Sequence, residues 1–142
     1  MSIQQIIEDF EVIDDWEERY RYIIELGRRM PELAADLRTE SVKVRGCASQ
    51  VWLISRASLP TSAQSTITFQ GDSDALIVRG LVALIIQLYS GKTATEILAI
   101  DARSVLKKLG LDTNLSQQRA NGLFSMVERI RTEARALVPK LN

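Results

Sequence analysis

"ALIVRGLVALIIQLY", Ala75–Tyr89, is the most apolar run of this 142-residue chain, and its reading decides the fold. As a helix it would measure roughly 22 Å at about 1.5 Å per residue, too short to cross a bilayer core about 30 Å thick. It carries only Arg79 and Gln87 as strongly polar residues, and its apolar side chains go nearly all the way round. A helix of that kind has to be covered by protein on most sides, so the run predicts a central core helix. Directly ahead of it, Gly71-Asp72-Ser73-Asp74 supplies turn and N-cap residue types, and Gly91 lies just past its end.

Upstream of the helix the period of the sequence is two. "STITFQ" alternates Ile67 and Phe69 with Thr66, Thr68 and Gln70, behind a loop "SLPTSAQ" that contains Pro60. Earlier still, Val42 and Val44 alternate with Lys43 and Arg45, and Val51 and Leu53 with Trp52 and Ile54, which predicts two strands flanking Gly46-Cys47. Together these make a small antiparallel meander of about three strands in mid-chain.

The outer parts read as helices. Ser2 with Gln5, and Asp15 with Glu18, have the spacing of capping boxes and open two short helices. In the second, Trp16, Tyr20, Ile23 and Ile24 share one stripe, and Gly27 is placed to end or weaken it. Beyond Gly91, Thr93 and Glu96 repeat the box spacing, "ATEILAI" and "ARSVLKKLG" read as two short helices, and Ser116 caps a long last helix closed by Pro139. Leu123, Val127, Ile130 and Ala134 stand at core spacing in that last helix. Strands grouped among helices, with no repeat or linker, predict one α+β domain over residues 1–142, a small antiparallel sheet packed against helices from both ends.

Composition limits the chemistry. Eighteen Lys and Arg balance eighteen Asp and Glu, so no long-range field favours nucleic acid or an anionic membrane. The opening "MSIQQIIEDFEVIDD" has neither the basic flank nor the apolar core of a signal peptide, and a lone cysteine makes no internal disulfide, which predicts a cytoplasmic protein. There is no histidine, hence no Cys-His base pair of the thiol-protease kind and no ordinary Cys/His zinc site. One thiolate cannot hold an iron-sulfur cluster, and without a second cysteine there is no internal disulfide cycle. The use that remains for a reactive Cys47 is intermolecular.

Two readings of Cys47 stay open on the residues themselves. A lone intracellular cysteine commonly packs as a small hydrophobe. The neighbours speak for thiol chemistry: Gly46 permits a tight turn, Ala48, Ser49 and Gln50 are small or polar, and Arg45 is a cation two residues away that would favour the thiolate. Arg119 occupies the third position of the last helix, where a cation costs about 0.3 to 1 kcal/mol, and is either a site residue or a solvated arginine. Asp72 and Asp74 are helix caps, partner contacts, or both, while Trp16 and Trp52 read as packing residues.

"VRGCASQVWLISR", Val44–Arg56, resembles the active-site segment of the SufE family, sulfur acceptors that work with a cysteine desulfurase in iron-sulfur cluster biogenesis. "FQGDSDALIVRGLVALI" resembles the family's turn and following helix, "LSQQRANGLFSM" its approach to the last helix, and "WEERYRYIIELGRRMPEL" its N-terminal part. The likeness runs in order from about Trp16 to the C-terminal helix. It implies a fold shared with IscU-type scaffolds, although those build clusters on several cysteines. It implies that Cys47 receives sulfur as a persulfide, with Arg45, Gly46, Ser49, Asp72, Asp74 and Arg119 as supporting or partner-binding residues. The implied partners are a SufS-type cysteine desulfurase and a scaffold complex of the SufBCD type, with no nucleic acid, no membrane and at most a weak homodimer. Pyridoxal phosphate would belong to the desulfurase, leaving this chain without a cofactor or metal. The rival reading is a protein-interaction module in which Cys47 only packs.

Overall fold

A computed structural model describes residues 2–59 and 64–137 of the chain. The expectations placed on Pro60 and Pro139 fall outside them. The central helix forms as the apolar run predicts: α3 spans Leu76–Tyr89 and buries Val78, Gly80, Leu88, Tyr89 and every residue from 81 to 85. Gly91 stands two residues past its end at φ 82°, a left-handed backbone that turns the chain away, and its N–H donates to Ile67 O at 2.7 Å.

Around α3 lie α1 (Ile3–Val12), α2 (Trp16–Arg29), α4 (Ala94–Ala99), α5 (Ala102–Lys108) and α6 (Gln117–Leu137). Ser2 and Asp15 cap α1 and α2, Asp15 taking the N–H of Glu17, and Thr93 with Glu96 forms the complete capping box of α4. Gly27 corrects an expectation. It does not end α2, which runs on to Arg29; a Cβ there would lie 2.7 Å from the backbone nitrogen of Gly80. The two glycines let α2 and α3 touch backbone to backbone.

The sheet is antiparallel in the order β1 (Val51–Ala57), β2 (Thr66–Ser73), β3 (Lys92–Thr93), with Val51 opposite Ser73 and Ala57 opposite Ile67. Ser65, Ile67, Phe69 and Gly71 alternate as buried residues, which lays one face of β2 on α3. Residues 42–45 are not a strand. Glu40–Val42 is a single 3-10 turn in which Lys43 N–H donates to Glu40 O, so the backbone is spent locally and only an isolated bridge, Lys43 to Trp52, remains. The Val-Lys-Val alternation records the half-burial of Val42 and the burial of Val44, not sheet pairing. The third strand instead follows α3, as Lys92 and Thr93 pair with Ile67 and Thr66.

Gly71-Asp72-Ser73-Asp74 is likewise no turn over its whole length. Residues 71–73 are the end of β2, paired with Leu53, Trp52 and Val51, and the N-cap of α3 is Ala75 without a side-chain cap. Neither aspartate caps that helix; Asp74 is used on Gln50, and Asp72 on Leu33, Arg38, Ser73 and the Arg79 side chain.

Candidate functional site around Cys47

Cys47 lies on the loop between the 3-10 turn and β1, half-buried against α6. Its thiol donates to Gly122 O at 3.6 Å. Gly122 is buried, and a Cβ on it would stand 3.4 Å from Sγ, so the sulfur lies directly against this stretch of helix backbone. One helical turn on, Ser125 faces the preceding residue of the loop. Gly46 has φ 91°, and a Cβ there would collide with the Ser125 hydroxyl. A third turn brings Arg129, whose Nη1 donates to Lys43 O at 3.3 Å and whose Nε pairs with Glu133 at 2.7 Å. Residues at this spacing share one helix face, so α6 presents small, small, then long to the loop.

The other flank of the loop is held by the end of β2. Ser73 Oγ donates to Gln50 O at 2.7 Å, and Asp74 accepts from Gln50 N–H at 3.0 Å and from its side-chain amide at 3.2 Å. Val44 N–H donates to Val51 O at 2.8 Å and closes the base. Cys47 is thus carried on a short loop pinned three residues on either side.

Asp72 is 2% exposed and spent inside the chain. Oδ2 accepts from Arg38 Nη2 at 2.9 Å and from Leu33 N–H at 3.0 Å, and Oδ1 accepts from Ser73 N–H at 2.8 Å. Arg79 Nε stands 2.9 Å from Oδ1 as an ion pair whose N–H is not aimed at the oxygen. Trp52 is buried beneath the Arg38 guanidinium, 5.4 Å from its ring centroid, and is a packing residue as expected.

Ser49 and the exposed Arg119 share a cleft of about 330 Å³ with Ala48, Ser116 and Gln118. The N-cap expected at Ser116 is present, its hydroxyl taking Arg119 N–H at 3.3 Å. Arg45, also exposed, lies on the opposite flank in a groove of about 530 Å³ with Lys43, Ser125 and Arg129. The two arginines therefore bracket the loop. Neither promotes the thiolate at rest: burial pushes the Cys47 thiol up, with no charge offsetting it. The expectation that Arg45 would favour the thiolate is corrected on this point.

Sequence reasoning assigned no site role to Gly122, Ser125, Arg38 or Arg79, and it offered Gln50 only as a polar neighbour of Cys47. A signal for the first two was available, since two small residues three apart in a long helix mark a face that another backbone approaches. Arg38 carried none, because only the fold brings it to Asp72. Among the described residues no group of three or more Cys, Asp or Glu could hold a metal ion, and no helix is long and apolar enough to cross a membrane.

Comparison with known proteins agrees along nearly the whole chain. The family model described as "SufE: Fe-S metabolism associated domain" matches residues 4–134. The chain is similar to a SufE-like protein of Rhizobium etli, 58% identical over 134 residues, covering 94% of this chain and 90% of that one. It is also similar to a SufE-like protein of Rhizobium meliloti, 52% identical over 138 residues, covering 97% and 98%. Among solved structures, that of a hypothetical protein from Thermus thermophilus superposes with a TM-score of 0.71 at 17% identity, over 96% of this chain and 98% of that one; it shares the α+β fold.

Proposed function

This chain belongs to the SufE family, whose domain is associated with iron-sulfur metabolism, and on that premise we propose that it carries sulfur as a persulfide on Cys47. The observation that supports this most is that the sole cysteine lies on a loop pinned at both stems and bracketed by clefts. No other side chain of the chain offers a sulfur nucleophile.

The proposed step is thiol-persulfide exchange with a SufS-type desulfurase. Cys47 gives up its proton, and its thiolate attacks the outer sulfur of the desulfurase persulfide. One S–S bond forms at Cys47, the S–S bond on the desulfurase breaks, and that enzyme's cysteine leaves as a thiolate, with no net oxidation. A later thiol, on a scaffold complex of the SufBCD type, removes the sulfur by the same exchange. Pyridoxal phosphate and carbon-sulfur cleavage stay with the desulfurase, which this chain stimulates by removing its product. We place the protein in the cytoplasm, acting as a monomer or weak homodimer.

The half-burial of the thiol and its contact with Gly122 O support a second reading, a packing cysteine in an interaction module. Intact mass after incubation with desulfurase, pyridoxal phosphate and free cysteine separates the two. A carrier gains about one sulfur, roughly 32 Da, on Cys47. Cys47→Ser should gain none and should leave desulfurase turnover unstimulated; full stimulation by the serine protein would sink the carrier reading.

A further inference from the structure

Arg38 is the residue that ties both stems of the Cys47 loop to one buried carboxylate. Its Nη2 donates to Asp72 at 2.9 Å and its Nε to Leu33 O at 3.0 Å, while its guanidinium covers Trp52. Arg79 reaches the same carboxylate from α3 and donates through Nη2 to Met30 O at 2.6 Å. Met30, Leu33 and Arg38 are therefore fastened within one segment, which includes a 3-10 turn at Ala35–Leu37 and runs on into the 3-10 turn Glu40–Val42 and the first stem, Lys43–Val44. The second stem is fastened by the residues next to Asp72, since Ser73 and Asp74 hold Gln50. Trp52, opposite Asp72 in the sheet and bridged to Lys43, joins the two stems beneath Arg38.

We infer that the Arg38–Asp72–Arg79 knot is a positioning device for the sulfur site, and that Arg38 is the positioning residue that sets how firmly Cys47 is seated on Gly122. Three features carry this. The knot lies beside the loop without touching the sulfur, so it acts through the stems. Asp72 is 3% exposed in its side chain and fully engaged, which makes it a fixed point, whereas Arg38 is 34% exposed and can be removed without leaving a second buried cation alone, because Arg79 remains on Asp72. Both stems and the chain that feeds them converge on it. Loosening the knot lowers the free energy of local loop opening, and the thiol reacts from the open state.

The inference rests on the carrier reading for its meaning but is tested without a desulfurase. The test is the alkylation rate of Cys47 by iodoacetamide in the folded protein, followed by intact mass, for wild type, Arg38→Ala, Arg38→Lys and Ile6→Val. The last removes a methylene from a buried side chain of α1 and reports loss of overall stability alone. Arg38→Ala should alkylate about fivefold faster than wild type or more, Arg38→Lys should recover much of the wild-type rate, and Ile6→Val should match wild type. Alkylation of Arg38→Ala at the wild-type rate, or an equal rise in Ile6→Val, would overturn the inference. The same four proteins are then offered desulfurase persulfide. If wild type accepts no sulfur while the alkylation pattern holds, the carrier reading fails and the positioning role of Arg38 stands.

Discussion

Gly46→Ala tests the seat of the cysteine by pushing on it from the adjacent residue. Two costs arise. The backbone at φ 91° is a conformation that an L side chain adopts at about 1 to 2 kcal/mol, and the new methyl would meet the Ser125 hydroxyl and stand 3.3 Å from Ser125 Cβ. The sum, about 1 to 3 kcal/mol, has a ceiling, because the loop can release from α6 and relieve both at once. The loss of global stability is then the smaller of that sum and the free energy with which α6 holds the loop. Urea denaturation gives the loss, and iodoacetamide alkylation of Cys47 gives the release. The structure expects a drop of about 1 to 3 kcal/mol together with faster alkylation, and Ser125→Ala on the same chain should return part of the loss, a coupling of about 0.5 kcal/mol or more between neighbours in contact. If Gly46→Ala changes stability by less than about 0.3 kcal/mol, leaves alkylation alone and shows no coupling to Ser125, then α6 does not hold this loop and the site has been drawn wrongly.

Ile85→Ala should cost about 2 to 5 kcal/mol by urea denaturation, because Ile85 is 1% exposed on the central helix; a cost well under 1 kcal/mol would contradict the core described. Because burial raises the Cys47 thiol, the folded chain keeps that proton when the unfolded chain has begun to lose it near pH ~8.5. Its contribution to stability is fully present below that pH and is lost as pH rises through the folded value, so wild type should lose stability relative to Cys47→Ser as pH rises above about 8.5, and parallel curves would count against the burial. Arg119→Ala should slow sulfur acceptance more than it lowers stability, since a cation at a helix N-terminus contributes little to folding. Slower transfer in Arg45→Ala with Arg119→Ala unchanged would move the docking face to the other flank of the loop.

Much of the architecture was legible because α3 announces itself. An apolar run with two polar residues has one physical solution in a chain of this size, and the elements around it follow from their caps at Ser2, Thr93 and Ser116. Misreadings occurred where a local pattern had two solutions. Val42-Lys43-Val44-Arg45 alternates as a strand does, yet its neighbours close a 3-10 turn, and no periodicity separates a paired segment from one that is merely half-buried. Asp72 has the residue type of a cap, and only the fold shows two arginines from distant positions converging on it. Gly27 reads as a terminator until Gly80 is found against it. Cys47 itself was visible from composition alone, whereas its seat on Gly122 and Ser125 depends on how a helix some seventy-five residues later lies across the loop.

That seat bears on how a sheltered thiol can be a carrier. Burial disfavours the thiolate, the form that attacks sulfur, so the resting protein holds Cys47 in its less reactive state. Released from Gly122, the same thiol returns toward its ordinary range and a larger fraction ionises near neutral pH. On the carrier reading, whatever opens the loop therefore also activates the nucleophile, and a docked desulfurase that drew the loop out between Arg45 and Arg119 would switch it on only where a persulfide is waiting. Small oxidants in solution would meet mostly the seated form. Gly122 lies against the sulfur, since a Cβ there would already stand 3.4 Å from Sγ, and the γ-carbons of a larger side chain need the space that the thiol holds. Gly122→Val should fill that space, leave the chain folded with its loop displaced, and yield a Cys47 that alkylates faster than wild type. A Gly122→Val protein that keeps the wild-type alkylation rate would show that the thiol is sheltered by something other than this helix face.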